Sequence, residues 1–378
     1  MDPEEARVIS FRVDKSCGHA RTGVLTSRHG DVPTPAFMPV GTQAAVKGIS
    51  SDEVMASGAR MEIMNTYHLW LRPGPELIAS FGGLHGFARW PYTIVTDSGG
   101  FQAFSLAKNT RASENGFEFA SHLDGAKMML SPEEAMRVQG LLGSDIAMQL
   151  DVCPPGGSPR ADLVAAVERT TRWAERCLAA RAPGQAVFGI VQGSTDVELR
   201  LQHMEALAKL PFDGLALGGF SVGEPIPDMY RALAEVAHRL PAERPRYLMG
   251  VGMPSDILTA VRYGIDMFDC VIPTRNARNG QVFTWEGKVT IKNSRYREDA
   301  RPLEEECQCL ACRGGYSRAY LRHLYLLGEI LALRMLSDHN VHFYQRLMAA
   351  ARAAIARGDF GQWSSEKLAV WAGSQASP

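Results

Sequence analysis

The chain has 378 residues, 46% of them hydrophobic, and a formal net charge of −1. That is enough apolar material for a large core. It gives no whole-molecule attraction for nucleic acid, and no run approaches the roughly 18 apolar residues of a membrane helix. The opening MDPEEARVIS is acidic and lacks the basic and apolar segments of a secretory signal, so a soluble, cytoplasmic protein with no membrane partner is expected.

Residues 1–34 read as an N-terminal β element, with an antiparallel hairpin over 10–34 and His29-Gly30-Asp31 at its turn. From residue 35 short apolar runs alternate with helical patterns. The runs are PAFMPV (35–40), MEIMNT (61–66), TIVTD (93–97), DIAMQLD (145–151), AVFGIVQG (186–193), GLALGGFS (214–221), RYLMGVG (246–252) and MFDCVIP (267–273). Each is apolar on both faces, as a buried parallel strand should be. Helix starts lie between them: Ser50 with Glu53 as a capping box, Ser131-Pro132-Glu133-Glu134 with a returning glutamate, and Ser158-Pro159. Residues 99–130 form a glycine-rich insertion after the third run. The pattern predicts an α/β protein, a (β/α)8 TIM barrel over 35–274. A doubly wound open sheet is the alternative. The barrel is preferred because Asp97, Asp151, Gln192, Gly218, Gly219, Gly250 and Asp269 stand at carboxyl ends of runs, where barrel enzymes build their sites. Past the eighth run, 275–345 reads as an inserted subdomain with a hairpin-like stretch, a cysteine cluster and a helix. Residues 346–378 read as a C-terminal helix packed on the barrel.

Three of the seven cysteines cluster as Cys307, Cys309 and Cys312. In a cytosolic chain such clustering favours a metal over disulfides. A histidine on the following helix, His339 or His342, would complete a closed Cys3His shell, the pattern of a structural Zn2+ site.

Asp97 lies in TDSGGFQ, where Gly99 and Gly100 would let backbone approach a ligand and leave amides free to donate. Asp269 lies inside the apolar run MFDCVIP, a costly place for a charge unless it is paired or used. A lone aspartate is ordinarily a cap or an ion-pair partner. Two on one rim suit chemistry at an anomeric carbon, one attacking and the other moving a proton. A retaining glycoside hydrolase would share that logic, and a non-catalytic RNA-binding subunit would dispense with it.

TDSGGFQ, QLDVC, IVQG, LGGFSVGE, YLMGVG and FDCVIPTRNARNG, in this order, together with CQC-x2-C and a following His-Asn, resemble the bacterial tRNA-guanine transglycosylase family along nearly the whole chain. The resemblance implies Asp269 as nucleophile on ribose C1′ and Asp97 as general acid/base. It selects His339 as fourth zinc ligand. It implies a base pocket of Ser98, Gly99, Gly100, Phe101, Asp151, Cys153, Gln192, Gly218, Gly219, Val222 and Met249, with Phe101 and Met249 sandwiching the base. It places RNA contacts on Gly250, Val251, Gly252, Met253, Pro254, Ser255 and Asp256, and on Thr274, Arg275, Asn276, Ala277 and Arg278. Seven basic against three acidic residues between 275 and 301 supply a local patch in a nearly neutral protein. Val222 and Cys153 resemble the bacterial pattern that takes 7-aminomethyl-7-deazaguanine, a 7-deazaguanine base exchanged for the wobble guanine in a tRNA anticodon loop. A homodimer is also implied. Asn65, Tyr67 and His68, at another strand end, are candidates to support the site from behind.

Overall fold

The structure, a computed structural model, describes residues 8–105 and 108–375; the remaining positions of the N- and C-terminal segments lie outside the described residues. All eight apolar runs contain strands: Ala36–Met38 continued by Val40–Gly41, then Met61–Met64, Thr93–Thr96, Ile146–Met148, Ala186–Val191, Gly214–Leu217, Arg246–Leu248 and Met267–Asp269. They pair in parallel in chain order. The eighth strand returns to the first, Asp269 opposite Met38, while Val40–Gly41 pairs with the second. That closure is a (β/α)8 barrel and excludes the open sheet. The first strand is split at Pro39, which has no N–H to give, although its carbonyl still accepts from the Ile63 amide at 3.1 Å.

The N-terminal element is a three-stranded antiparallel sheet, Ser10–Cys17, Ala20–Ser27 and Gly30–Thr34. Its second turn is Arg28-His29, one residue earlier than expected, with Gly30 and Asp31 already paired to Ser27 and Thr26. Ile9, Leu25 and Val32 share one core cluster with Met61, Ile63, Ile146 and Phe188 from the barrel strands. Ser27 bonds Thr93 at 2.8 Å and Arg21 grips Asp266 at 2.6 and 2.9 Å. Thr93 opens its strand and Asp266 precedes another, so this sheet covers the barrel's N-terminal end.

The capping box at Ser50 and Glu53 forms in both directions. Ser131 accepts from the Glu134 amide, but Glu134 does not return: its carboxylate pairs with Arg137 at 2.7 Å, a charged donor that outcompetes a backbone amide. The helix at Arg160–Ala179 begins where expected without a side-chain cap, since the Ser158 hydroxyl turns to the Pro155 carbonyl. The insertion after the third strand holds a helix, Gly100–Ser105, and an antiparallel sheet of Lys108–Ser113, Gly116–Ala120 and Lys127–Leu130. After the eighth strand come a short helix (Ile272–Arg278), a hairpin (Gln281–Thr284 and Gly287–Thr290), the cysteine segment, and a 28-residue helix, Ile330–Arg357. That helix donates from Gln345 to the Phe37 carbonyl and from Arg352 to the Pro35 carbonyl, fastening the C-terminal region to the first barrel strand.

Candidate active site

A cleft of about 520 Å³ opens at the carboxyl ends of the barrel strands, within the range of small-molecule sites. Asp97, Ser98, Phe101, Asp151, Cys153, Gln192, Gly218, Gly219, Val222, Met249, Gly250, Gly252, Met253, Asp256, Asp269 and Arg275 all line it. Asp97 and Asp269, 172 positions apart by their numbers, thus face one hollow.

Their surroundings differ. Asp97 Oδ1 accepts from the amides of Thr66 (2.9 Å) and Gly99 (3.2 Å); Oδ2 accepts from Asn65 Nδ2 (2.6 Å) and Gln102 Nε2 (3.3 Å). Burial, reinforced by the charge of Asp269 and opposed by the Thr66 amide, pushes its pKa up to about 7. Asp269 Oδ1 accepts from the Tyr247 hydroxyl (2.5 Å) and the Gly250 amide (2.8 Å). Burial raises its pKa as well, and those two donors pull it back. Among the described residues nothing is bonded to its other oxygen, Oδ2. One carboxyl is therefore poised near neutrality, and the other keeps an open oxygen beside a fixed one.

Deeper in the cleft, Asp151 takes Gln192 Nε2 at 2.6 Å and, more weakly, the Ser98 hydroxyl at 3.4 Å. Burial lifts its pKa to about 6. Among the described residues Gln192 Oε1 is buried without a partner. The strand end at Gly218 and Gly219 runs against this amide so closely that an added Cβ would sit 2.8 Å from Gln192 Nε2 at Gly218 and 2.3 Å from Oε1 at Gly219. Gly219 also has φ +67°. Only glycine fits there. Beside the turn, the Glu224 carboxylate accepts from the Ser221 (2.5 Å) and Val222 (2.9 Å) amides, holding the loop over the cleft. A carboxylate and an amide converging on one wall match the donor and acceptor edge of a guanine-like base.

Some expected contacts fall elsewhere. The amides of Gly99 and Gly100 are not free: they turn inward to Asp97 Oδ1 and Ser98 Oγ. Val251 and Ala277 are fully buried, and Pro254 and Thr274 nearly so, and therefore offer a ligand almost no side-chain surface. Arg275 is exposed at the cleft edge; Arg278 is half-buried, and its Nη1 has no partner among the described residues. Phe101 is half-exposed at the mouth. Asn65 does two things, capping the helix Thr66–Leu71 through the His68 amide and holding Asp97. Tyr67 bonds His122 at 2.9 Å. Tyr247 was not singled out from the sequence, although period-two alternation along RYLMG puts it on the same face as Met249.

The cysteine cluster is separate from the cleft. Cys307, Cys309, Cys312 and His339 are all buried and converge as a group that could hold a metal ion. The three sulfurs lie 3.7, 3.4 and 3.5 Å from His339 Nδ1. A tetrahedral ion with ordinary Zn–S and Zn–N bonds requires about 3.6 Å along those edges. His339 Nε2 bonds the Phe283 carbonyl at 2.9 Å, leaving Nδ1 as the ligand nitrogen. His342 is turned away to Asp338, with which it bonds at the backbone carbonyl at 3.0 Å, and is outside the group.

Two acids in unlike environments, at the carboxyl rim of a parallel barrel, define an enzyme of the barrel class equipped for nucleophilic and acid–base work. The sequence model described as Queuine tRNA-ribosyltransferase matches residues 15–372. A protein of that name from Sorangium cellulosum is 63% identical over 347 residues, covering 92% of this chain and 88% of its own length. Others from Solidesulfovibrio magneticus (51% identical, 96% and 98% covered) and Fusobacterium nucleatum (49%, 97% and 99%) extend the likeness end to end. The chain belongs to the queuine tRNA-ribosyltransferase family.

Proposed function

We propose that this chain is a tRNA-guanine transglycosylase that exchanges the wobble guanine of tRNA for 7-aminomethyl-7-deazaguanine by double displacement. Asp269, through its open Oδ2, attacks ribose C1′ as the bond from C1′ to guanine breaks. Asp97, near half-protonated at neutral pH, gives its proton to the departing base. The incoming base then attacks C1′, releases Asp269 and returns a proton to Asp97. Two inversions retain configuration, and no water is consumed. The observation that carries this reading is the pairing of Asp97 and Asp269 in one cleft with different hydrogen-bond environments.

Asp151, Gln192 and the Gly219 backbone grip the base, with Phe101 and Met249 on its faces. Cys153, whose thiol burial pushes up to about 12 and so keeps neutral, and Val222 shape the wall at the position of the aminomethyl group. Arg275 and Arg278 meet phosphates of the anticodon loop; the partnerless Arg278 Nη1 supports an anionic ligand there. Cys307, Cys309, Cys312 and His339 hold one structural Zn2+, which supplies cross-linking and no chemistry to the cleft.

Denaturing-gel trapping tests the nucleophile: wild type forms a covalent adduct with tRNA and Asp269→Asn forms none, while exchange by that variant at the wild-type rate would overturn the assignment. The proposal includes a homodimer, supported by Leu326, Leu327 and Ile330 at 54, 65 and 78% exposure in one short stretch. The double variant Leu327→Asp, Ile330→Asp should run as a monomer by light scattering.

A further inference from the structure

At the opposite end of the barrel from the cleft, three side chains from three elements meet. His29 stands on the turn of the N-terminal sheet, His85 in the helix Gly83–Ala88, and Asp145 just before the fourth barrel strand. His29 Nδ1 is 2.7 Å from Asp145 Oδ1 and His85 Nε2 is 3.2 Å from Asp145 Oδ2. The two imidazole rings stack with centroids 3.6 Å apart, an arrangement that repels if both are protonated. The Tyr92 carbonyl accepts from His85 Nε2 at 3.1 Å, a proton that a bound ion would displace. Asp145 is buried. Burial alone would raise its pKa, but His85, the Ile94 amide and His29 outweigh it and hold the carboxyl below its ordinary value. The remaining contacts are the Ile94 amide on Oδ2 at 2.9 Å, which orients the carboxylate, and the half-exposed Arg28, whose Nε lies 3.1 Å from Oδ1. A hollow of about 480 Å³ beside Arg28, His29 and His85 opens the cluster to solvent.

We propose that His29, His85 and Asp145 are a second metal site, which takes a divalent, imidazole-preferring transition ion of the Zn2+, Co2+ or Ni2+ class. The ligand atoms already lie within 4.8 Å of one another. Bonds of about 2.1 Å to one ion set ligand atoms roughly 3–3.5 Å apart, so the His29–Asp145 pair, at 2.7 Å, opens slightly as the histidine nitrogens settle around the ion, an adjustment within reach of His29 on its surface turn. Two imidazoles and one carboxylate suit these ions better than Mg2+ or Ca2+. Three protein ligands leave a coordination position toward the hollow, unlike the closed Cys3His group. Arg28 is the built-in competitor and must swing outward. The bound ion ties the N-terminal sheet to the barrel floor.

The test is calorimetric titration of full-length protein, carrying its thiolate-bound metal, with Zn2+. The wild type should take up one further equivalent, and its Tm should rise by about 3–5 °C at a hundredfold excess over Kd. His29→Ala and His85→Ala should each weaken that step by tenfold or more while keeping the thiolate-bound ion. Arg28→Ala, relieved of the competing cation, should tighten it severalfold. Absence of a second equivalent in wild type, or unchanged uptake in His29→Ala, overturns the proposal. His29, partly exposed on a turn, serves even where His85→Ala folds poorly.

Discussion

The cleft and the Cys3His group are both built from buried polar side chains, yet one is left unfinished and the other complete. Among the described residues, Asp269 keeps an open oxygen in the cleft and Gln192 Oε1 is buried there without a partner, as is Arg278 Nη1 at the end of the helix that follows Asp269. Around the cysteines, His339 Nε2 bonds the Phe283 carbonyl while Nδ1 faces the three sulfurs, Cys309 accepts the Cys312 amide at 3.3 Å, and Cys312 accepts the Glu304 amide at 3.4 Å. Unsatisfied polar atoms cost stability and are tolerated where a ligand will satisfy them. A finished shell has nothing left to offer a substrate and serves the fold instead.

Substitutions can break this division. The largest effect is expected from Asp97→Asn, which removes the carboxyl proposed to carry the proton: exchange should fall about 10³-fold with far-ultraviolet dichroism unchanged. Next is metal removal. Chelation, or Cys312→Ser, should lower Tm by roughly 5–10 °C, and intact stability without metal would sink the structural role. Tyr247→Phe should cost about tenfold in kcat. Losing that donor lets the Asp269 pKa rise, so the acidic limb of the rate profile moves to higher pH. The smallest effect concerns stability. Asp97 has a folded pKa of about 7 against 3.8, so folding loses stability as pH rises from about 4 to 7. The shift corresponds to about 4 kcal/mol, which an open cleft reduces to about 1–2. The Tm of Asp97→Asn relative to wild type should therefore climb between pH 5 and pH 8. A flat difference would mean that Asp97 is already ionised at pH 5.

The barrel was legible because each strand is a two-sided apolar run, and the cysteines because ligands two and three residues apart announce themselves. Asp97 and Asp269 showed as charges at the ends of such runs. The break at Pro39 did not show, since a single proline inside PAFMPV leaves the hydrophobic pattern intact. Glu134 does not close the expected capping box because Arg137, one helical turn on, competes for it. The support from Asn65 and Tyr247 depends on which strand ends become neighbours when the sheet closes. His29, His85 and Asp145 share no spacing at all; only the fold brings them together.

The helix Ile330–Arg357 joins the two regions. Besides His339 it carries Asn340, which donates to the Pro273 and Gln281 carbonyls and accepts from the Phe283 amide, and Tyr344, whose hydroxyl reaches the Gly252 carbonyl at 2.5 Å. Pro273 follows Asp269 by four positions, and Gly252 lies on the loop whose Gly250 amide holds that aspartate. Oxidation of the cysteines would thus be felt in the cleft from a distance, by slackening the beam that braces the segments on either side of Asp269.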